Sequence, residues 1–227
     1  MPLVQNKNIL FAFSLFFIFI MFIIWLVDWD FYDEISRSEA VLEYIQFVFY
    51  LLAATIFFSV YLTLKRKSNI ALFFIMLSLC FFFVAMEEIN WGQVIFKFRT
   101  PEFIRTINSQ EEFSIHNSKI VETVLHELYI LVGFGGAFLP FCKNRLVRRK
   151  KFSMIINFLP DKSLFFYFFS VGGYYFFRDY IRRFIAYLTH SEPIAMFNQE
   201  IPETLFSMGI FLYACIQFVK KEVYLSK

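Results

Sequence analysis

Ile70–Gln93 reads IALFFIMLSLCFFFVAMEEINWGQ. From Ile70 to Met86 there is no charged residue, and the run then ends abruptly on two adjacent carboxylates, Glu87 and Glu88. Its length approaches the roughly 20 apolar residues that an α-helix needs to cross a bilayer. Asn90, Trp91, Gly92 and Gln93 follow at once, and a mixed segment, VIFKFRTPEFIRTINSQEEFSIHN, continues to Asn117. The long runs outside it are built mainly of Phe, Ile, Leu and Val, so the segment between Glu87 and Asn117 stands out for its chemistry-bearing side chains.

The rest of the chain repeats the pattern. Of 227 residues 59% are hydrophobic, 36 are Phe, and only 18% are charged. A soluble domain of this size cannot hide so much apolar surface, and the charge content falls below the usual quarter. The expected fold class is all-α: a polytopic transmembrane helix bundle of about six spans, forming a single integral-membrane domain over residues 1–227. The expected spans are Ile9–Val27, Ala40–Leu64, Ile70–Met86, Ile120–Phe141, a helix from Ser163 to Thr189, and Pro202–Val219. Ile9–Val27 is longer than the core of a signal peptide and leads into Asp28-Trp29-Asp30 without a small-x-small cleavage site, so it reads as an uncleaved first span. Thr100-Pro101-Glu102 predicts a short interfacial helix after the third span, with Thr100 as N-cap and Pro101 as the first helical residue.

Basic clusters set the orientation. Lys65-Arg66-Lys67, the segment 143–151 and Lys220-Lys221 are rich in Lys and Arg, whereas the acidic loop 28–39 holds only Arg37. The positive-inside rule therefore predicts six spans with both termini cytoplasmic. It places Glu43, Glu87, Glu88, His116, Glu122, His126, Arg178, Arg182 and Glu203 at the non-cytoplasmic ends of their helices. The net charge of +3 is spread over these short clusters, which argues against a nucleic-acid partner. Cys80, Cys142 and Cys215 form no CxxC and read as small hydrophobes.

Carboxylates near a membrane are costly, at about 2.5–3.5 kcal/mol each, and so invite a functional reading. Glu87 and Glu88 are candidate catalytic acids or bases, metal ligands or proton-relay groups; the competing reading is an ion pair with Arg178 or Arg182. His116 and His126 are further catalytic candidates. Glu122 and His126 stand i, i+4 on one helix face and, with His116, could ligate a divalent metal, although a structural histidine gives the same spacing. Arg178 and Arg182 are also i, i+4 and suit a substrate phosphate. Arg178 lies about 22 Å above Ser163 at 1.5 Å per residue, short of a roughly 30 Å core, so its charge needs a partner. Asn90, Gln93, Asn117 and Glu43 complete the expected substrate-binding set. Trp91 and Gly92 suit either a re-entrant turn or an interfacial tryptophan.

The stretch Glu87-Glu88-Ile89-Asn90-Trp91-Gly92-Gln93, followed by Thr100-Pro101-Glu102, Asn108, Gln110, Glu112 and His116-Asn117, resembles a family of bacterial multi-pass membrane proteins, mostly of unknown function. The resemblance covers about thirty residues closely. It departs at Asn90, where that family usually has Ser, and at Val94, where it usually has Arg. It implies a bacterial cytoplasmic (inner) membrane location and supplies no reaction.

Two functional classes remain open from the sequence. One is a membrane-embedded hydrolase or transferase acting on a membrane lipid or lipid-linked phosphate substrate at the outer leaflet. The other is a channel, proton-conducting or accessory subunit of a membrane assembly, in which a homo-oligomer could build a pore between subunits. A phosphate-binding glycine loop, a nucleophile elbow and a Cys beside a His are all missing, which argues against an NTPase or a Cys/His transferase.

Overall fold

The computed structural model describes residues 6–32, 41–65, 70–106, 108, 112–115, 118–143, 145, 155–190 and 198–225. Those residues are almost entirely helical, and their one extended pairing is an isolated bridge between Asn108 and Ser118. The long helices are α1 (Lys7–Val27), α2 (Val41–Leu64), α3 (Ala71–Glu88), α4 (Lys119–Phe138), α5 (Phe165–Phe176), α6 (Arg182–Thr189) and α7 (Glu200–Leu225). Five of them are long and apolar enough to cross a membrane: α1, α2, α3, α4 continued to Cys142, and α7 as far as Glu222. The sixth expected span is helical but segmented. α5 passes into a π-helical turn, Phe177–Ile181, and then into α6.

Local chemistry explains the helix ends. Asn6 caps α1, its side chain accepting the Ile9 N–H at 3.4 Å. The chain leaves α1 at Asp28, whose carboxylate takes the Phe31 N–H at 2.9 Å and so starts a new turn. Within α2 the hydroxyls of Thr55, Ser59 and Thr63 each donate to the carbonyl four residues back. That satisfies polar groups in an apolar helix without a neighbour's help.

The described residues fall into two compact units, one holding 41–122 and 207–225, the other 6–32 and 123–206. In the first, α2 and α3 run antiparallel. Phe57 sits between Phe74 and Phe81, Tyr50 stacks on Phe81, and the Ser78 hydroxyl donates to Ala54 O at 2.9 Å. The C-terminal part of α7 adds Phe211 against Phe49, Tyr213 against Phe57 and Tyr224 against Phe74. The Tyr224 hydroxyl donates to the fully buried Gln217.

The second unit packs α1, α4, the α5–π–α6 helix and the start of α7. Phe11 meets Phe166, and the Tyr167 hydroxyl donates to Leu10 O at 3.0 Å. Phe206 takes Tyr129 and Phe168 edge-on. Small residues let α4 and α5 touch: a Cβ on Gly133 would fall 2.6 Å from Gly172 Cα. Outward faces are apolar as well, with Phe16 and Phe19 on α1 58% and 60% exposed. Such surfaces suit a membrane as solvent.

The predicted interfacial helix is a single turn, Glu102–Arg105, and its start lies one residue later than the sequence suggests. Pro101 occupies the N-cap, in extended geometry. Thr100 is taken out of the cap by another partner, the side-chain amide of Gln93, at 2.8 Å.

Candidate functional site

Polar side chains of the second unit gather along the π-helical turn. An α-helix advances about 100° per residue, so side chains four apart drift by about 40° and those eight apart by about 80°. The π turn, closed by the Arg182 N–H on Phe177 O, is wider and takes that drift back. Three adjacent stripes result: Tyr174-Arg178-Arg182, Tyr175-Asp179-Arg183 and Phe176-Tyr180. Turns of this kind are frequent at functional sites.

Asp179 is the hub. Its Oδ2 lies 2.9 Å from His126 Nδ1 on α4, and its Oδ1 stands 3.6 Å from Arg183 Nη2 and 4.0 Å from Arg178 Nε. The side chains of His126 and Asp179 are only 13% and 14% exposed, which keeps water from screening the pair. The His126 ring also rests on Tyr175, with centroids 4.4 Å apart, and Tyr129 stacks on the same tyrosine at 5.0 Å. The Tyr175 hydroxyl donates to the buried Glu203 of α7. Arg178 donates to Gln199 Oε1 at 2.7 Å and lies over the Tyr175 ring. On the third stripe the Tyr180 hydroxyl donates to Glu127.

A carboxylate on Nδ1 does three things to a histidine. It fixes the tautomer, orients the ring and strengthens Nε2 as a base. Arginines on the flanking stripe bring positive charge beside it. A histidine held in this way can serve as a general base, and arginines beside it can hold an anion.

The first unit holds a different arrangement. Glu87, 4% exposed, accepts the Trp91 indole N–H on Oε1 and the Ile115 backbone N–H on Oε2 at 2.7 Å. Gln93 accepts the Phe113 N–H at 2.7 Å while donating to Phe98 O and Thr100 Oγ1. Asn108, also buried, donates to Ser114 O at 2.8 Å and accepts the Glu112 N–H. Between the two clamps the backbone reverses through three successive left-handed residues, Asn90 (φ 49°), Trp91 (φ 54°) and Gly92 (φ 89°). Gly and Asn tolerate that region; Trp91 is held there by Glu87 and by Phe83, 5.4 Å away edge-on. The Glu-Glu-Ile-Asn-Trp-Gly-Gln stretch thus ties the segment 98–115 to the end of α3.

The sequence-derived residues divide accordingly. His126, Arg178, Arg182 and Glu203 come together in the second unit, with Arg178 partnered there by Gln199 and Asp179. Glu43, Glu87, Glu88, Asn90, Gln93 and Glu122 belong to the first. Glu43 and Glu88 are half-buried in the first turn of α2 and at the end of α3. His116 and Asn117 lie outside the described residues. Glu122 and His126 do stand one turn apart on α4, but among the described residues no three His, Cys, Asp or Glu side chains group closely enough to hold a metal.

Sequence reasoning passed over Asp179, Tyr174, Tyr175 and Gln199. A signal for Asp179 existed: it is the one acidic residue between Asp161 and His190, embedded in RDYIRR. No protein-family model, no curated protein and no solved structure matches this chain.

Proposed function

We propose that the chain is an integral-membrane enzyme, a hydrolase or transferase working on a lipid or lipid-linked phosphate substrate at the non-cytoplasmic face. The observation that supports this most is the His126–Asp179 pair, shielded and 2.9 Å long, beside the arginines of the π turn. In this reading His126 Nε2 takes the proton of the attacking water or acceptor hydroxyl and returns it to the leaving oxygen. Asp179 stabilises the imidazolium formed in between. Arg178 and Arg182 neutralise phosphate charge as it builds. The distribution of basic clusters, read by the positive-inside rule, supports putting this end of the helices outside the cytoplasm.

The test is turnover of lipid phosphomonoesters and diphosphates by the purified, reconstituted protein. Substitution of His126 by Asn should lower turnover by about 10²–10⁴-fold, the usual share of general acid–base catalysis. Equal turnover by wild type and His126→Asn would remove the reading. A non-enzymatic reading, an accessory membrane subunit, draws on Glu87: both its oxygens hold N–H groups, as an anchor's would. Absence of turnover together with co-purification of a stoichiometric membrane partner would favour it.

A further inference from the structure

Arg182 carries an observation that the catalytic reading does not use. Its Nε is shut off from solvent and finds no hydrogen-bond partner among the described residues. A guanidinium N–H is a strong, permanently charged donor, and a buried donor left without an acceptor is costly. Native chains rarely keep such a group without a reason. Its neighbours tell what the acceptor should be. Arg182 and Arg178 both lie within electrostatic reach of the Tyr174 hydroxyl, as do Tyr32 and Glu203. Glu203 already accepts the Tyr175 hydroxyl, and Arg178 is steered by Gln199. The Tyr32 hydroxyl accepts the Asn198 N–H at 3.2 Å. The stripe Tyr174-Arg178-Arg182 therefore offers two guanidiniums and a hydroxyl along one face, aligned by the π turn.

We infer that Tyr174, Arg178 and Arg182 form a binding site for a phosphate group, with Arg182 Nε as the donor that this ligand satisfies. A phosphate presents several strong acceptor oxygens at the spacing a guanidinium fork matches. An uncharged headgroup offers fewer and weaker acceptors to a buried guanidinium N–H than a phosphate does. The inference deepens the reading above and rests on it for the lipid character of the ligand. The phosphate could arrive on a lipid headgroup or as the free ion, and the chemistry at Arg182 is the same for both.

The experiment uses the full chain purified in an uncharged detergent. Inorganic phosphate, dioctanoyl phosphatidate and dioctanoylglycerol are titrated separately, with binding read by calorimetry and by thermal stabilisation. Binding of phosphatidate but not of dioctanoylglycerol is the expected result; comparable binding of inorganic phosphate identifies the free ion as sufficient, and its absence identifies the lipid-borne group. Arg182→Gln should weaken binding by about tenfold or more, and Arg182→Lys should restore only part of it, since lysine keeps the charge and loses the fork. Should Arg182→Gln fail to fold, Tyr174→Phe and Arg178→Gln carry the same expectation. Wild-type protein that binds neither phosphate probe, or an Arg182→Gln variant that folds and binds as wild type does, overturns the inference. His126→Asn separates it from the catalytic reading. Binding kept while turnover falls upholds both, and Arg182-dependent binding without any turnover in the wild type upholds this site while the catalytic reading fails.

Discussion

Gly133 and Gly172 meet backbone to backbone. A Cβ built on Gly133 would lie 2.6 Å from both Cα and N of Gly172 and 2.8 Å from Phe168 O. None of these atoms belongs to a side chain that can swing away, so α4 and α5 would have to separate. Gly133→Ala is expected to destabilise the protein by about 1–3 kcal/mol, the range for overpacking. Gly135 is the control. Its Cβ would meet only Leu139 Cδ1, at 3.9 Å, so Gly135→Ala should be neutral or stabilising by up to about 1 kcal/mol through helix propensity. Thermal unfolding in detergent measures both, and equal effects would refute the close-approach argument.

The Glu87 carboxylate offers an oxygen to each of two N–H donors. Glu87→Gln turns one acceptor into a donor that faces another donor. A loss of about 1–3 kcal/mol is expected. It should be accompanied by faster hydrogen exchange at the Ile115 amide. Gln93→Ala should speed exchange at Phe113 in the same way, because it removes that amide's acceptor. Unchanged exchange at both amides would show that the clamps do not hold the segment.

His126 and Asp179 act together in the proposed reaction, so their variants should not add. Asp179→Asn alone should impair turnover strongly, because the amide disturbs the tautomer and no longer stabilises the imidazolium. His126→Asn/Asp179→Asn should be little worse than His126→Asn. Additive losses would mean that the two side chains contribute separately.

Asp161, outside the long helices, is paired with Lys7 at 2.6 Å and caps the turn at Ser163. Burial raises its carboxyl pKa, but the Lys7 ammonium and the Ser163 backbone N–H outweigh burial and hold it below the ordinary value. A depressed carboxyl contributes stability that is present above its unfolded pKa and lost as pH falls through the folded one. The wild type should therefore lose this contribution as acid takes the pH below about 4, while Asp161→Asn should show no such component. Lys7 is largely exposed, so the effect should stay under about 1 kcal/mol. Melting temperature against pH for the two proteins checks it.

The helices were legible because bilayer-length apolar runs announce themselves, and α1, α2, α3, α4 and α7 follow the expected runs closely. The segmentation of 163–189 was not legible: a π turn depends on which neighbours α5 and α6 must meet, and no residue type marks it. At the end of α3 a turn was one expectation for Trp91 and Gly92, but nothing in the sequence showed that Asn90 and Trp91 would share the left-handed conformation of Gly92. The candidate site was half visible. His126, Arg178 and Arg182 stood out as charges in apolar runs, whereas Asp179 was hidden among arginines. The backbone N–H partners of Glu87 have no signature in a sequence at all.

The three left-handed residues between Glu87 and Gln93 fix a length as well as a direction. The two side chains grip the same loop at Ile115 and Phe113 from opposite sides of the bend, like buttons on either side of a seam. One residue inserted or deleted at positions 89–92 would shift one fastening relative to the other and undo both, however well the new residue suited its surroundings. Spacing, more than the identity of any single side chain, is what this corner of the protein must keep.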